Sequence, residues 1–116
     1  EDNMSHNDIV YIQHISDAIR DIENSTIKLS KKEFMESKDI QDACIRRLEI
    51  IGEAVKYISP ETKSKHSSIE WKKIAGTRDI IIHSYFNINL DIIWDIIKIN
   101  HPDLKGKISK IKKEIH

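Results

Sequence analysis

The chain has 116 residues, of which 33% are charged and 39% hydrophobic, and its 19 basic side chains balance 19 acidic ones for a formal net charge of zero. That length suits one domain with one core and leaves no room for two. Charge balance removes the simplest argument for nucleic-acid binding, long-range attraction to phosphate. No apolar run approaches the roughly 18 residues that cross a bilayer, so a soluble protein with no membrane contact is expected. Cys44, the single cysteine, cannot form an internal disulfide, and no apolar leader opens the chain, so a reducing cytoplasm is the expected location. Met4 is the expected native start, with Glu1, Asp2 and Asn3 an added remnant.

Only three glycines and two prolines occur, and apolar residues recur three or four apart, which predicts helices throughout. Ser5 followed by Asp8 starts a first helix whose stripe is Ile12, Ile15, Ile19 and Ile22, fading between Ser25 and Leu29. Ser30 and Glu33 have capping-box spacing, so the polar connection up to Ser37 has room for one short turn. A second long helix begins at Lys38, carries Ile40, Cys44, Ile51, Val55 and Ile58, and ends at Ser59 and Pro60 because a residue before proline disfavours helical geometry. The polar segment Glu61 to Ser68 reads as a loop. A third helix, from about Ile69 to His83, shows Trp71, Ile74, Ala75, Ile81 and Ile82 on one face. After a turn over Tyr85 to Asn89, with Asn87 or Asn89 as cap, a fourth helix bears Leu90, Ile93, Trp94 and Ile97 and is stopped by Pro102. Residues 105–116 form a basic amphipathic helix or tail, whose lysines are more often a solvated strip than a phosphate contact. The expected fold is an all-α antiparallel bundle of four or five helices in a single domain spanning residues 1–116.

Chemistry concentrates at the end of the third helix. On a wheel of about 100° per residue, Arg78 falls at the centre of the apolar stripe. A guanidinium cannot shed its charge, so it needs a carboxylate, a phosphate or an opening to solvent; an ion pair with Glu49 or Glu53 of the second helix is the structural alternative to a functional role. His83 lies about 140° further round, four residues after Asp79, whose carboxylate can fix its tautomer; a histidine at a helix end is otherwise a cap or a surface residue. Gly76 shares that flank; a mid-helix glycine costs about 1 kcal/mol relative to alanine and often marks close approach of another backbone, so the flank is expected to meet a second helix or a second subunit. Tyr85, two turns beyond Arg78, either packs its ring at the core edge or sets its hydroxyl at the mouth of the same groove. Arginine, histidine, aspartate and tyrosine within eight residues suit phosphodiester chemistry, with histidine moving protons and arginine balancing charge at phosphorus. No metal is expected, because the six histidines include no pair at i and i+4 and only one cysteine is present. Neither a phosphate-cradling glycine loop nor a serine-hydrolase elbow occurs.

The run Arg78-Asp79-Ile80-Ile81-Ile82-His83-Ser84-Tyr85 resembles the R-x4-6-H signature of the HEPN superfamily, in the R-x4-H-x-Y form of the HepT toxins. Around it, Arg46-Arg47-Leu48-Glu49-Ile50-Ile51-Gly52-Glu53-Ala54 is similar to the family's R-x-L-E-x-I-G-E-A helix, and Trp71-Lys72-Lys73-Ile74-Ala75-Gly76 to its W-x-x-I-x-G approach. The similarity runs from Asp42 to Leu104. It implies an endoribonuclease that needs no metal or other cofactor and works as a homodimer on an RNA substrate, with Arg78 and His83 catalytic and Asp79, Glu53 and Arg46 supporting. It further implies a toxin–antitoxin pair in which a minimal nucleotidyltransferase of the MntA kind attaches AMP to Tyr85. Two other readings stand beside it: a non-catalytic HEPN module that binds a nucleotidyltransferase partner or a nucleotide, and a helical dimerisation protein whose Arg78 only pairs with a glutamate.

Overall fold

The computed structural model describes residues 4–83 and 89–115, and the side chains of Ile80, Ile82 and His83 lie outside that description. Among the described residues there is no strand, and the expected all-α bundle is what forms. Helix α1 (His6–Thr26) starts at Ser5, whose hydroxyl accepts the Asp8 amide at 3.1 Å, and buries the predicted stripe of Ile12, Ile15, Ile19 and Ile22. The connection with capping-box spacing is a short helix, α2 (Lys31–Glu36), with both hydrogen bonds of the box present between Ser30 and Glu33. Its Phe34 is fully buried, with its ring centroid 5.1 Å from that of Trp94. Helix α3 (Lys38–Tyr57) buries Cys44, Leu48, Ile51, Gly52, Ala54 and Val55 and packs against α1.

Two expectations fail, each for a local reason. Residues 61–68 are not all loop, because Pro60–Lys65 forms a helix, α4. Ser59 caps it by accepting the Thr62 amide at 3.3 Å and Pro60 occupies its first turn, a strong start signal that periodicity cannot register over so few polar residues. Pro102 does not stop the last helix either. Asn89 caps α6 (Leu90–Asp95), the backbone passes through a π-helical stretch, Ile96–Asn100, and α7 (His101–Ile115) continues through Pro102 to the described end. The His101 amide bonds Ile96 O, five residues back. This widened turn lies immediately before the proline, where the ordinary hydrogen-bond ladder would be broken and the ring would crowd the preceding turn. The C-terminal segment is thus helical, and its lysines serve as staples. Lys98 donates to Thr26 O at 2.9 Å, Lys105 pairs with Glu23 at 2.7 Å, Lys107 donates to Ser68 O at 2.7 Å and Lys112 to the Ser16 hydroxyl at 3.2 Å.

Helix α3 is the centre of the assembly, flanked by α1 and by α5 (Trp71–His83), while α7 lies along α1. Two polar devices set where α5 begins. Asp8, only 2% exposed, accepts the Ser59 amide at 3.0 Å, the Ser59 hydroxyl at 2.5 Å and the Thr62 hydroxyl at 2.6 Å, tying the start of α1 to the α3–α4 junction. The Trp71 indole N–H then bridges Lys63 O at 3.2 Å and His66 O at 3.1 Å, at the end of α4 where helix carbonyls lack their usual intrahelical partners; His66 O also accepts the Ile69 amide at 3.1 Å. Burial alone would raise the Asp8 pKa; the hydrogen bonds from Ser59 and Thr62, with the charge of Lys63, outweigh it and hold the carboxyl below its usual value. His101 is the opposite case. It is buried, its Nδ1 has no partner among the described residues, and desolvation depresses its pKa to about 4.

These two groups predict separate acid limbs. The unfolded chain protonates His101 near pH 6.5 while the folded chain resists until about pH 4, so stability falls as pH drops through that window, by at most about 1.4 kcal/mol per pH unit from this group. Denaturant titrations between pH 7 and 4 check it, and the His101→Phe variant should lose this part of the slope. Asp8 contributes stability above its unfolded pKa of about 3.9 that is lost below it. Asp8→Ala should cost about 1–3 kcal/mol at neutral pH, because it strands buried donors.

Candidate functional site

The arginine singled out by the wheel sits where α5 crosses α3, and a glycine decides how close the two helices come. A Cβ built on Gly52 would overlap Arg78 Cβ and stand 3.3 Å from both Cγ and Cδ. The absent side chain lets the stem of Arg78 lie directly on α3. Arg78 therefore meets the apolar contact surface as expected, while its head escapes sideways and the side chain keeps 26% exposure. Its Nε forms an ion pair with Glu53 Oε1 at 3.0 Å, one of the two expected carboxylates. Asp79 Oδ1 lies 3.9 Å from Arg78 Nη1 and pairs with Lys56 Nζ at 3.3 Å, so a chain of alternating charges, Glu53, Arg78, Asp79 and Lys56, stitches the two helices together.

The guanidinium opens onto a groove of about 400 Å³ lined by Tyr11 and His14 of α1, by Arg46, Glu49, Glu53 and Tyr57 of α3, and by Arg78. It gathers three of the residues implied by resemblance, Arg46, Glu53 and Arg78; Asp79 lies beside it through its contact with Arg78. Tyr11, His14, Lys56 and Tyr57 were not picked out by sequence reasoning. The only signal for Tyr57 was its place one helical turn after Glu53. A more enclosed cavity of about 160 Å³, lined by Leu48, Ile51, Ile74, His101 and Leu104 among others, includes none of Arg46, Glu53, Arg78 and Asp79.

His83 is the last residue of α5, whose backbone is helical through that position, so no unwinding precedes it. The expected bond from Asp79 to the His83 imidazole involves a side chain outside the description, and Tyr85 lies outside the described residues. At Gly76 a Cβ would meet nothing within 4 Å, so the expected second helix does not approach it within the chain, where the close contact is at Gly52. No cluster of three metal-ligating side chains forms among the described residues, and none of the described helices is long and apolar enough to cross a membrane.

An all-α bundle with an arginine held by a glutamate across α3 and α5, followed at the end of α5 by a histidine, has the architecture of a HEPN domain. The match to the family model described as "HepT-like: Ribonuclease HepT-like" covers residues 15–111, and the chain belongs to that family. Over 106 residues it is 42% identical to a Methanocaldococcus jannaschii protein named "Gamma-glutamylcyclotransferase and putative RNase", covering 91% of this chain but only 48% of that longer protein. The chain thus spans about half the length of that relative. It is 41% identical to the "Probable ribonuclease HepT" of Thermococcus cleftensis over 94% of this chain and 97% of that one. A "Putative RNase" of Caldanaerobacter subterraneus subsp. tengcongensis is 39% identical over 87% and 90% of the two chains. No solved structure matches.

The two glycines predict opposite outcomes. Gly52→Ala should destabilise by about 1–3 kcal/mol, since the atom it strikes is the root of the Arg78 side chain and the helices must part. Gly76→Ala should stabilise by up to about 1 kcal/mol through helix propensity alone. Paired thermal and denaturant melts decide both. Arg78→Ala should lower stability by about 1 kcal/mol or less, because the Glu53 side chain is 44% exposed and solvent screens the pair; a loss of several kcal/mol would make this arginine a purely structural element.

Proposed function

We propose that the protein is a metal-independent endoribonuclease and the toxin of a toxin–antitoxin pair. The observation that carries this reading is Arg78, seated on Gly52, oriented by Glu53 and opening onto a solvent-accessible groove. Family membership and the ribonuclease names of the relatives support it. In the proposed reaction the ribose 2′-hydroxyl gives its proton to a base and attacks the adjacent phosphorus. The bond from phosphorus to the 5′-oxygen then breaks, leaving a 2′,3′-cyclic phosphate and a 5′-hydroxyl that takes up a proton. His83 supplies one of these proton transfers, and Arg78 balances the charge that builds on the phosphoryl oxygens.

The helical path of α5 supports a two-subunit site. Five helical steps from Arg78 to His83 set the two residues about 140° apart around the axis and about 7.5 Å apart along it, which spreads the pair across two faces of one helix. In a homodimer, two copies of the motif facing one cleft bring an arginine and a histidine to the same phosphate. Tyr85, two residues after His83, is the acceptor for AMP from a minimal nucleotidyltransferase antitoxin, which would fill the cleft with bulk and negative charge. The proposed place of action is the cytoplasm.

Purified protein should cut RNA in the presence of EDTA and yield cyclic-phosphate ends, with His83→Ala reducing the rate by about 10²–10⁴-fold while remaining folded and of unchanged mass in solution. Intact RNA with protein shown by mass spectrometry to be unmodified would overturn the reading and leave the non-catalytic partner-binding module in its place. Since α7 uses most of its lysines as internal staples, RNA affinity should depend weakly on salt, with a log–log slope shallower than about −2.

A further inference from the structure

The groove at Arg78 carries two arginines against two glutamates, on a chain whose net charge is zero. Phosphate attraction therefore supplies little of the binding that an RNA strand needs. The bases must supply the rest, and the groove offers one surface suited to them. Tyr57, the last residue of α3, is 60% exposed. Its ring is stacked on Tyr11, with centroids 5.7 Å apart and planes 23° from parallel, and Tyr11 is in turn held edge-on by His14 at 6.3 Å. An exposed tyrosine would ordinarily sample several rotamers; this one is backed by a second ring, which fixes its plane. It lies one turn from Glu53, the carboxylate that orients Arg78, and next to Lys56, which holds Asp79.

We propose that Tyr57, backed by Tyr11, is a stacking platform for an unpaired base next to the phosphate held at Arg78, so that the substrate class is single-stranded RNA. The proposal rests on the ribonuclease reading and adds a positioning residue to it. A base inside a duplex has both faces covered by its neighbours and cannot lie on the ring, whereas an unstacked base can. Aromatic stacking is sequence-tolerant, so the platform selects strandedness and leaves base identity open.

Two measurements separate the platform from the activity. The first is cleavage of a single-stranded oligoribonucleotide and of a blunt duplex by wild type, Tyr57→Phe and Tyr57→Ala. The second needs no catalysis: quenching of 2-aminopurine in an uncleavable 2′-O-methyl single strand. Tyr57→Phe should match wild type, while Tyr57→Ala should raise KM and weaken the quenching titration by roughly 5- to 100-fold with kcat little changed. Melting temperature and sedimentation should not move, because the ring is largely exposed. Cleavage with quenching unaffected by Tyr57→Ala overturns the platform. So does equal cleavage of duplex and single strand, or a change in oligomeric state on substitution, which would make the tyrosine pair a contact between copies of the chain. Quenching that depends on Tyr57 without any cleavage upholds the platform and sinks the ribonuclease reading alone; neither signal overturns both.

Discussion

Helix α5 lies against α3 at the distance it does because position 52 carries no side chain. A methyl group there would occupy the same space as the first carbon of Arg78. From this contact the geometry of the site follows in order. The arginine stem is pressed onto α3, its head has one direction in which to leave, and Glu53, the next residue on α3, receives it at 3.0 Å. Asp79 is then presented to Lys56 across the same seam. The cost of a glycine inside a helix, about 1 kcal/mol against alanine, is accepted where the close approach is needed.

A close crossing also requires that α5 start at a fixed place, and buried polar groups supply that. Asp8 gathers three donors from the α3–α4 junction, and Trp71 clamps the end of α4. Such a network has a stringent geometry, because a buried carboxylate that misses its donors is far costlier than an apolar residue in its place. On the opposite flank, the π-helical stretch carries the backbone past Pro102 and lets α7 run along α1 under a row of lysine contacts. The scaffold is thus held at both places, while the groove formed by α1, α3 and Arg78 stays open.

Electrostatics divides the lysines of α7 from the groove. The basic strip visible in the sequence is spent largely on the protein itself, and the groove at Arg78 is balanced in sign. A neutral chain that acts on RNA has to depend on short-range contacts, meaning an oriented guanidinium and aromatic surface, more than on a long-range field. The arrangement around Tyr11 and Tyr57 meets that requirement within the groove where Arg78 opens.

By itself the sequence determined the helical class, the limits of α1 and α3, and an arginine in need of a partner, with Glu49 or Glu53 among the candidates. Each of these depends on near neighbours along the chain: the three-to-four spacing of isoleucines, the caps at Ser5, Ser30 and Asn89, and a charge misplaced on an apolar stripe. It misled at α4, where six residues are too few for a periodic signal, and at Pro102, where a change of hydrogen-bond register upstream removed the conflict that proline normally creates. It gave no sign of the close approach within the chain at Gly52. Gly52 and Gly76 both stand within helices as read from the chain, and only the packing of α5 on α3 tells which of them meets a neighbour. The choice of Glu53 over Glu49 and the meeting of Tyr11 with Tyr57 were likewise decided by tertiary structure. These contacts join residues distant in the chain, and their distances depend on how helices cross, which no local pattern encodes.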